Sequence, residues 1–469
     1  MHSRHAISAA LVASLVGSSL ATPPAALAQD RATPGLDYGP YGAGFTVIEA
    51  LDSTRAFRPL RDFSGRVATE TARPVQISIW YPAEAEAVGD ATGMRAGDFR
   101  LLQEREVDFD VALGESDEAG LRSRYIDAAV SFGQDRAVAA RGWDEPTPAM
   151  RGASPLPGAH PTVLYFTAAG VSNPLLPAYL ASHGFVVATF PSNGRMTEGS
   201  LEFTPNALTL DTDIDDAGFV HALLRRLPYA DTERLAVAAF SGGSLAALLW
   251  TMRDMQPSAL VTIEGWERYR RGADILAGSV HFEPHRIRIP LLMLERAADE
   301  ASPQYAKVRD VVDALPYAHV TRVAFRDAAH GDFLSHVPFG HTPHHAEIYE
   351  ASARMTRAFL QASIGEPGAA AELQRVLAAP EATFFTVEDN RGIGPVPTEE
   401  ELYRLAETDP AAAAAAYRDG ARIVPGSSLF REQVLTRAAI FARTPADSAL
   451  IMEIVEDAYP DAGARRRWR

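Results

Sequence analysis

Leu235-Ala236-Val237-Ala238-Ala239-Phe240-Ser241-Gly242-Gly243-Ser244 runs from an unbroken apolar stretch, through a serine set among tiny residues, towards a helical pattern over 244–255. A continuous apolar run of this length reads as a strand buried on both faces. The small-x-Ser-x-Gly spacing, with Ala239 in the first small position, is that of a strand–turn–helix elbow. Such a turn lifts the Ser241 hydroxyl clear of the sheet and aims the next backbone N–H groups, with the helix N-terminus behind them, at an anion. Tiny residues are required because neighbouring chains pass close on either side. Ser244, three residues on, falls inside the helix, where a hydroxyl caps or bonds backbone.

Short apolar strands and helices alternate on both sides of this elbow. Strands are expected over 44–49, 75–81, 162–166, 185–190, 235–240, 259–263, 289–294 and 319–325. Helices are expected over 175–183, 213–227, 244–255 and 304–315. Alternation of this kind predicts an α/β fold with a mainly parallel, doubly wound sheet covered on both faces. Residues 83–150 alternate acidic and apolar positions at helical spacing and read as a helical insertion outside the sheet.

Both ends differ from this centre. Arg4, an apolar run over 6–20, Pro23-Pro24 and then Ala26-Leu27-Ala28 follow the order of a secretory signal peptide cleaved after Ala28. The apolar run is shorter than the roughly 20 residues of a membrane span. The expected domain therefore covers 29–370. Beyond about 370 strands are expected to give way to alanine-rich helices. There Pro410 and Pro445 lie 35 residues apart, as do Pro425 and Pro460. A repeat of that period resembles a tetratricopeptide hairpin, and a helical tail packed on the main domain is the alternative. Either form would offer a surface for a protein partner.

Composition narrows the chemistry. The 469 residues carry a formal charge of −16, which argues against nucleic acid or an anionic membrane as partner. The chain has no cysteine, so thiol nucleophiles and thiolate metal sites are excluded.

A serine hydroxyl needs a base in reach and an acid to orient that base. Among 13 histidines, His330 stands out: Val323-Ala324-Phe325-Arg326-Asp327-Ala328-Ala329-His330-Gly331-Asp332-Phe333 is a late strand, a short loop and a His-Gly pair. His336, His341, His344 and His345 follow closely, but their spacing fits no ligand motif, so no metal is expected. Two carboxylates compete for the acid. Glu264 ends the strand after the nucleophile helix, and Asp299 follows the next strand; spacing in folds of this kind favours Asp299.

Taken together, Arg73-Pro74-Val75-Gln76-Ile77-Ser78-Ile79-Trp80-Tyr81-Pro82, the L-A-S-H-G-F-V-V-A run from Leu180, the F-S-G-G-S elbow, Ile263-Glu264-Gly265-Trp266 and the F-R-D-A-A-H loop resemble the plasma-type platelet-activating-factor acetylhydrolases and the bacterial dienelactone-hydrolase-like serine esterases. The likeness covers about half the chain and implies the α/β-hydrolase fold. It also implies a cofactor-free serine esterase, secreted or periplasmic, acting on a small-molecule acyl or lipid-like ester. That family takes its acid from an Asp-x-Trp setting on the strand after the nucleophile helix. The resemblance thus favours Glu264, 23 residues past Ser241, over Asp299. Two departures stand: glutamate replaces aspartate, and the loop after the first central strand reads Phe166-Thr167-Ala168-Ala169-Gly170-Val171 where the family has a His-Gly pair. Gly242 and Gly170 would then supply the oxyanion N–H groups. Authentic dienelactone hydrolases use a cysteine nucleophile, which this chain lacks. A peptidase or amidase on the same scaffold, and a non-catalytic binding protein with a degenerate oxyanion loop, remain as rivals.

Overall fold

The computed structural model describes residues 35–57, 71–84, 91–131, 133–167, 171, 173–194, 207–253, 257–297, 303, 306–335, 344–378, 384–390, 399–423 and 432–459. The chain divides into two compact units. One runs to Asn390 apart from two short stretches; the other takes those stretches, 284–288 and 314–318, with residues from Arg391 onwards.

The first unit is built on an 11-stranded sheet. Its strands are β1 (Gly42–Phe57), β2 (Thr71–Ala83), β3 (Thr92–Arg95), β4 (Pro146–Arg151), β5 (His160–Thr167), β6 (Val186–Phe190), β7 (Ala230–Phe240), β8 (Leu260–Ile263), β9 (Leu291–Arg296), β10 (Val320–Phe325) and β11 (Phe385–Asn390). They lie in the order β11-β10-β9-β8-β7-β5-β6-β2-β1-β4-β3. From β6 to β10 every pairing is parallel, and these strands are the apolar runs expected to be buried. The helices of this unit are α1 (Ala96–Gln103), α2 (Glu115–Ser131), α3 (Arg136–Asp144), α4 (Leu175–Ser182), α5 (Ala207–Leu224), α6 (Gly243–Arg253), α7 (Arg270–Ala277), α8 (His345–Ser363) and α9 (Ala369–Leu377). Side chains such as Tyr165, Leu180, Phe185, Ile263, Phe325 and Phe359 fuse sheet and helices into one buried cluster. Each buried side chain of that size contributes roughly 1.5–3 kcal/mol.

The sheet is mixed: six strand pairings are parallel, whereas β2 runs antiparallel to β6 and to β1, β3 to β4, and β11 to β10. Three expectations need correction. Residues 83–150 are not outside the sheet: β4 pairs with β1, and β3 with β4, around α1 to α3. β3 is a short edge strand and β4 the short strand next to it; they carry Gly93, Pro146 and Pro148, and proline and glycine weaken the strand signal in a sequence. Strands also do not stop at 370. β11 adds an edge strand on which only Phe385 is buried and acidic residues face solvent, so its pattern reads as polar loop. Finally, the helix expected over 304–315 reduces, among the described residues, to one turn at Asp310–Asp313. Lys307 is held instead by its ammonium, which donates to the carbonyls of Arg296 (2.6 Å) and Ala297 (2.7 Å).

The turn after α1 carries a buried acid, Glu106, only 4% exposed. Burial pushes its carboxyl up to about 8, the charge of Glu104 adding to the shift and Arg100 opposing it. A carboxyl raised in the folded state holds a proton that the unfolded chain releases near 4.3, so stability declines as pH rises through that window towards 8. Glu106→Gln is expected to leave the melting temperature almost unchanged at pH 5. At pH 8 it should lie several degrees above the parent in a thermal melt.

The second unit contains α10 (Glu399–Thr408), α11 (Pro410–Ile423), α12 (Glu432–Ile440) and α13 (Pro445–Ala458), packed through Leu402, Ala413, Tyr417, Leu435, Ile451 and Val455. The prolines 35 residues apart, Pro410 and Pro445, both open a helix. Asp409 and Thr444 precede them and accept backbone N–H groups of the first turn. The other proline pair, Pro425 and Pro460, and the leader-like residues up to Ala28 lie outside the described residues. No helix among the described residues is long and apolar enough to cross a membrane.

Candidate active site

β7 and β8 are adjacent parallel strands with Phe240 opposite Ile263, so the residues that follow, Ser241 and Glu264, leave the sheet at the same carboxyl edge. Both take left-handed backbone conformations, with φ 54° at Ser241 and 51° at Glu264. For residues with a side chain that conformation costs roughly 1–2 kcal/mol. The strands hold both in place: Ser241 N–H donates to Ile263 O (2.9 Å) and Glu264 N–H to Leu294 O (2.7 Å). Ser241 O accepts from the N–H of Ser244 (3.1 Å) and of Trp266 (3.3 Å), which ties the elbow to the turn after β8. Ser244 is fully buried, and its hydroxyl accepts the Trp266 N–H at 2.9 Å, so it braces the same junction.

The glycine requirement after the serine has a steric cause. A Cβ on Gly243 would stand 2.7 Å from Phe166 O and 2.8 Å from Phe166 C, both backbone atoms of β5. Since neither can rotate away, Gly243→Ala must push the elbow off β5. Overpacking of this sort costs typically 1–3 kcal/mol. A displacement near 1 Å at a reacting group costs about 10² in rate. The variant is therefore expected to unfold at a lower temperature in a thermal melt and, with Ser241 as a reacting group, to lose about 10²-fold in its rate of reaction with a serine-directed probe.

Glu264 is completely buried, and its two oxygens have separate tasks. Oε2 accepts from Nδ1 of His330 at 3.1 Å. Oε1 accepts from the backbone N–H of Arg296 at 2.7 Å and forms an ion pair with the guanidinium of Arg268, Nη2 at 2.6 Å. The Arg296 side chain adds an Nε contact of 3.3 Å to Oε2. Burial pushes the Glu264 carboxyl up, but Arg268, the His330 hydrogen bond and Arg296 outweigh it and hold the group well below the usual carboxylate range. Its contribution to stability is thus complete above about pH 4.3 and is lost as pH falls through the depressed value.

His330 opens the short helical turn His330–Phe333 after β10. Its ring packs on Phe240, the residue before the serine, with centroids 5.1 Å apart. The imidazole is 27% exposed, whereas Ser241 is 3% exposed. A proton on Nδ1 facing Glu264 leaves Nε2 as the free base. The histidine loop is fastened twice. Buried Asp332 accepts the Ala329 N–H at 2.8 Å. Asn173 Oδ1 accepts the Ser335 hydroxyl (2.8 Å) and the Tyr349 hydroxyl (3.0 Å), while its Nδ2 donates to the Tyr165 hydroxyl (3.3 Å). Asn173 thereby ties the loop after β5 to the loop after β10.

The structure therefore brings Ser241, Glu264 and His330 to one edge, with Gly242 following the serine. Gly170 and the alternative acid Asp299 lie outside the described residues, as do His336 and His341. Among the described residues no group of three or more His, Asp or Glu side chains could hold a metal ion. Sequence reasoning missed Arg268, Arg296 and Asn173. For Arg268 a signal existed, since it stands four residues after Glu264, although that spacing also suits a solvated charge.

No protein-family model and no curated protein matches the chain. A search of solved structures finds it similar to a ferulic acid esterase from Streptomyces cinnamoneus, at 18% identity over 82% of this chain and 91% of that one, with a TM-score of 0.40. The likeness is distant, and the site stands on its own residues.

Proposed function

We propose that the chain is a serine hydrolase of the α/β-hydrolase kind that cleaves carboxylic esters through an acyl-enzyme. The observation that carries this reading is the left-handed Ser241 placed one strand from a buried Glu264 that is hydrogen-bonded to His330. In the proposed reaction Ser241 Oγ attacks the ester carbonyl and His330 Nε2 takes its proton. The tetrahedral oxyanion is held by the N–H groups of Gly242 and Gly170, the alkoxide leaves with the proton from His330, and water then repeats the sequence to release the acid. Glu264 stays ionised throughout and stabilises the imidazolium. No step calls for a cofactor.

The leader-like order of the first residues supports export to the periplasm or exterior. The matched Pro410 and Pro445 helix starts support a tetratricopeptide-like tail that binds a protein partner. The enzymatic reading is tested with nitrophenyl esters graded from short to long acyl chains and with the matching anilides. Faster turnover of the esters is expected, and the best acyl length names the substrate class. Faster anilide cleavage would make the protein a peptidase or amidase, and no turnover of either would make it a binding protein.

A further inference from the structure

The acid of the proposed triad is a glutamate, which has one more rotatable bond than an aspartate and so must be fixed by more than its length. Arg268 meets that need. It is 2% exposed beside a Glu264 that is 0% exposed, with 2.6 Å between its Nη2 and Oε1. The guanidinium is itself immobilised. It stacks on the Tyr269 ring at 4.3 Å, bonds the Tyr269 hydroxyl, donates to Arg296 O at 3.1 Å and lies 4.0 Å from the Glu295 carboxylate. The short helical turn Trp266–Arg268 sets it four residues past Glu264.

We propose that Arg268 is a positioning residue: it anchors Oε1 of Glu264 so that Oε2 is presented to His330 in one orientation. This rests on the triad reading above. Buried ion pairs are commonly no more stabilising than apolar replacements, so stability alone gives little reason for a guanidinium here. Orientation does, because Oε1 meets Arg268 and the Arg296 N–H while Oε2 takes the His330 hydrogen bond, with only the more distant Arg296 Nε (3.3 Å) beside it. The charged or titratable groups facing the carboxylate are Arg268 and Tyr269 beyond β8, Arg296 at the end of β9 and His330 after β10. Arg268 opposes the effect of burial most strongly among them.

The test measures kcat, KM and the pH profile of Arg268→Met, Arg268→Lys, Glu264→Gln and the double variant R268M/E264Q. Arg268→Met should lower kcat by about 10²-fold with KM nearly unchanged, as a misplaced reacting group does. Its acid limb should move to higher pH as Glu264 becomes easier to protonate. Arg268→Lys, which keeps the charge, should recover part of kcat and return the acid limb towards the parent. In the Glu264→Gln background, Arg268→Met should cost no more than about twofold further, because a positioning residue has nothing left to position. The double variant removes both buried charges, so it decides the matter even if the single methionine variant does not fold. A parent-like pH profile in Arg268→Met, or a full additional 10²-fold loss in the double variant, would overturn the proposal. A nearly active Glu264→Gln would instead overturn the triad reading beneath it.

Discussion

Ser241→Ala is expected to lower ester turnover by roughly 10⁶, to the background left by binding and the oxyanion donors. Only the hydroxyl is removed, and none of the bonds that hold the turn uses it: the Ser241 N–H donates to Ile263 O and the Ser241 carbonyl accepts the N–H groups of Ser244 and Trp266. Alanine meets the same left-handed backbone that serine already occupies. The melting temperature should consequently stay within a degree or two of the parent, which separates loss of a nucleophile from loss of a fold. A Ser241→Ala protein that retained turnover would place the nucleophile elsewhere. One that lost activity together with its melting transition would show the elbow to be structural.

Glu264→Gln carries the second large effect, and it differs in kind because it should damage both rate and stability. A glutamine can turn its amide N–H groups towards Nδ1 of His330, favouring the tautomer that puts the proton on Nε2, where the base must be free. Amide replacement in related triads lowers kcat by roughly 10⁴, and the same is expected here without a matching rise in KM. The substitution also strips Arg268 and Arg296 of their common counter-charge. Removing one partner of a buried pair costs about 3–5 kcal/mol, so the melting temperature should fall clearly at neutral pH. That stability loss should shrink as pH drops below the usual carboxylate range, because the unfolded parent takes up a proton there that the folded Glu264 does not. Asp299→Asn should change the rate by no more than a few fold. Opposite results for the two variants would make Asp299 the acid and leave Glu264 a structural partner of the arginines.

What could be read from the sequence follows physical reach. The elbow was legible because a backbone constraint writes itself into residue type: Gly243 meets the β5 backbone, so only glycine fits. The central strands were legible because burial on both faces leaves an unbroken apolar run, as in the fully buried Val163, Leu164 and Val187. The edges were not. β3, β4 and β11 are short and largely exposed or half-exposed, and they exist because β4, β1 and β10 respectively offer them a partner strand, a fact carried by other parts of the chain. The same holds at the site. His330 and Glu264 each announced themselves by local context, whereas Arg268 looks like any charged residue at i+4 until the fold buries it against the carboxylate. Asn173 was invisible for that reason too, since Tyr165, Ser335 and Tyr349 meet it only in three dimensions.

The central claim, that Ser241 is an activated nucleophile, is tested most directly by treating the intact chain with a fluorophosphonate and locating the adduct by peptide mass spectrometry. The account predicts a single adduct on the peptide bearing Ser241, absent from Ser241→Ala and strongly slowed in Glu264→Gln. Equal labelling of the parent and Ser241→Ala, or an adduct on any other residue, would contradict it.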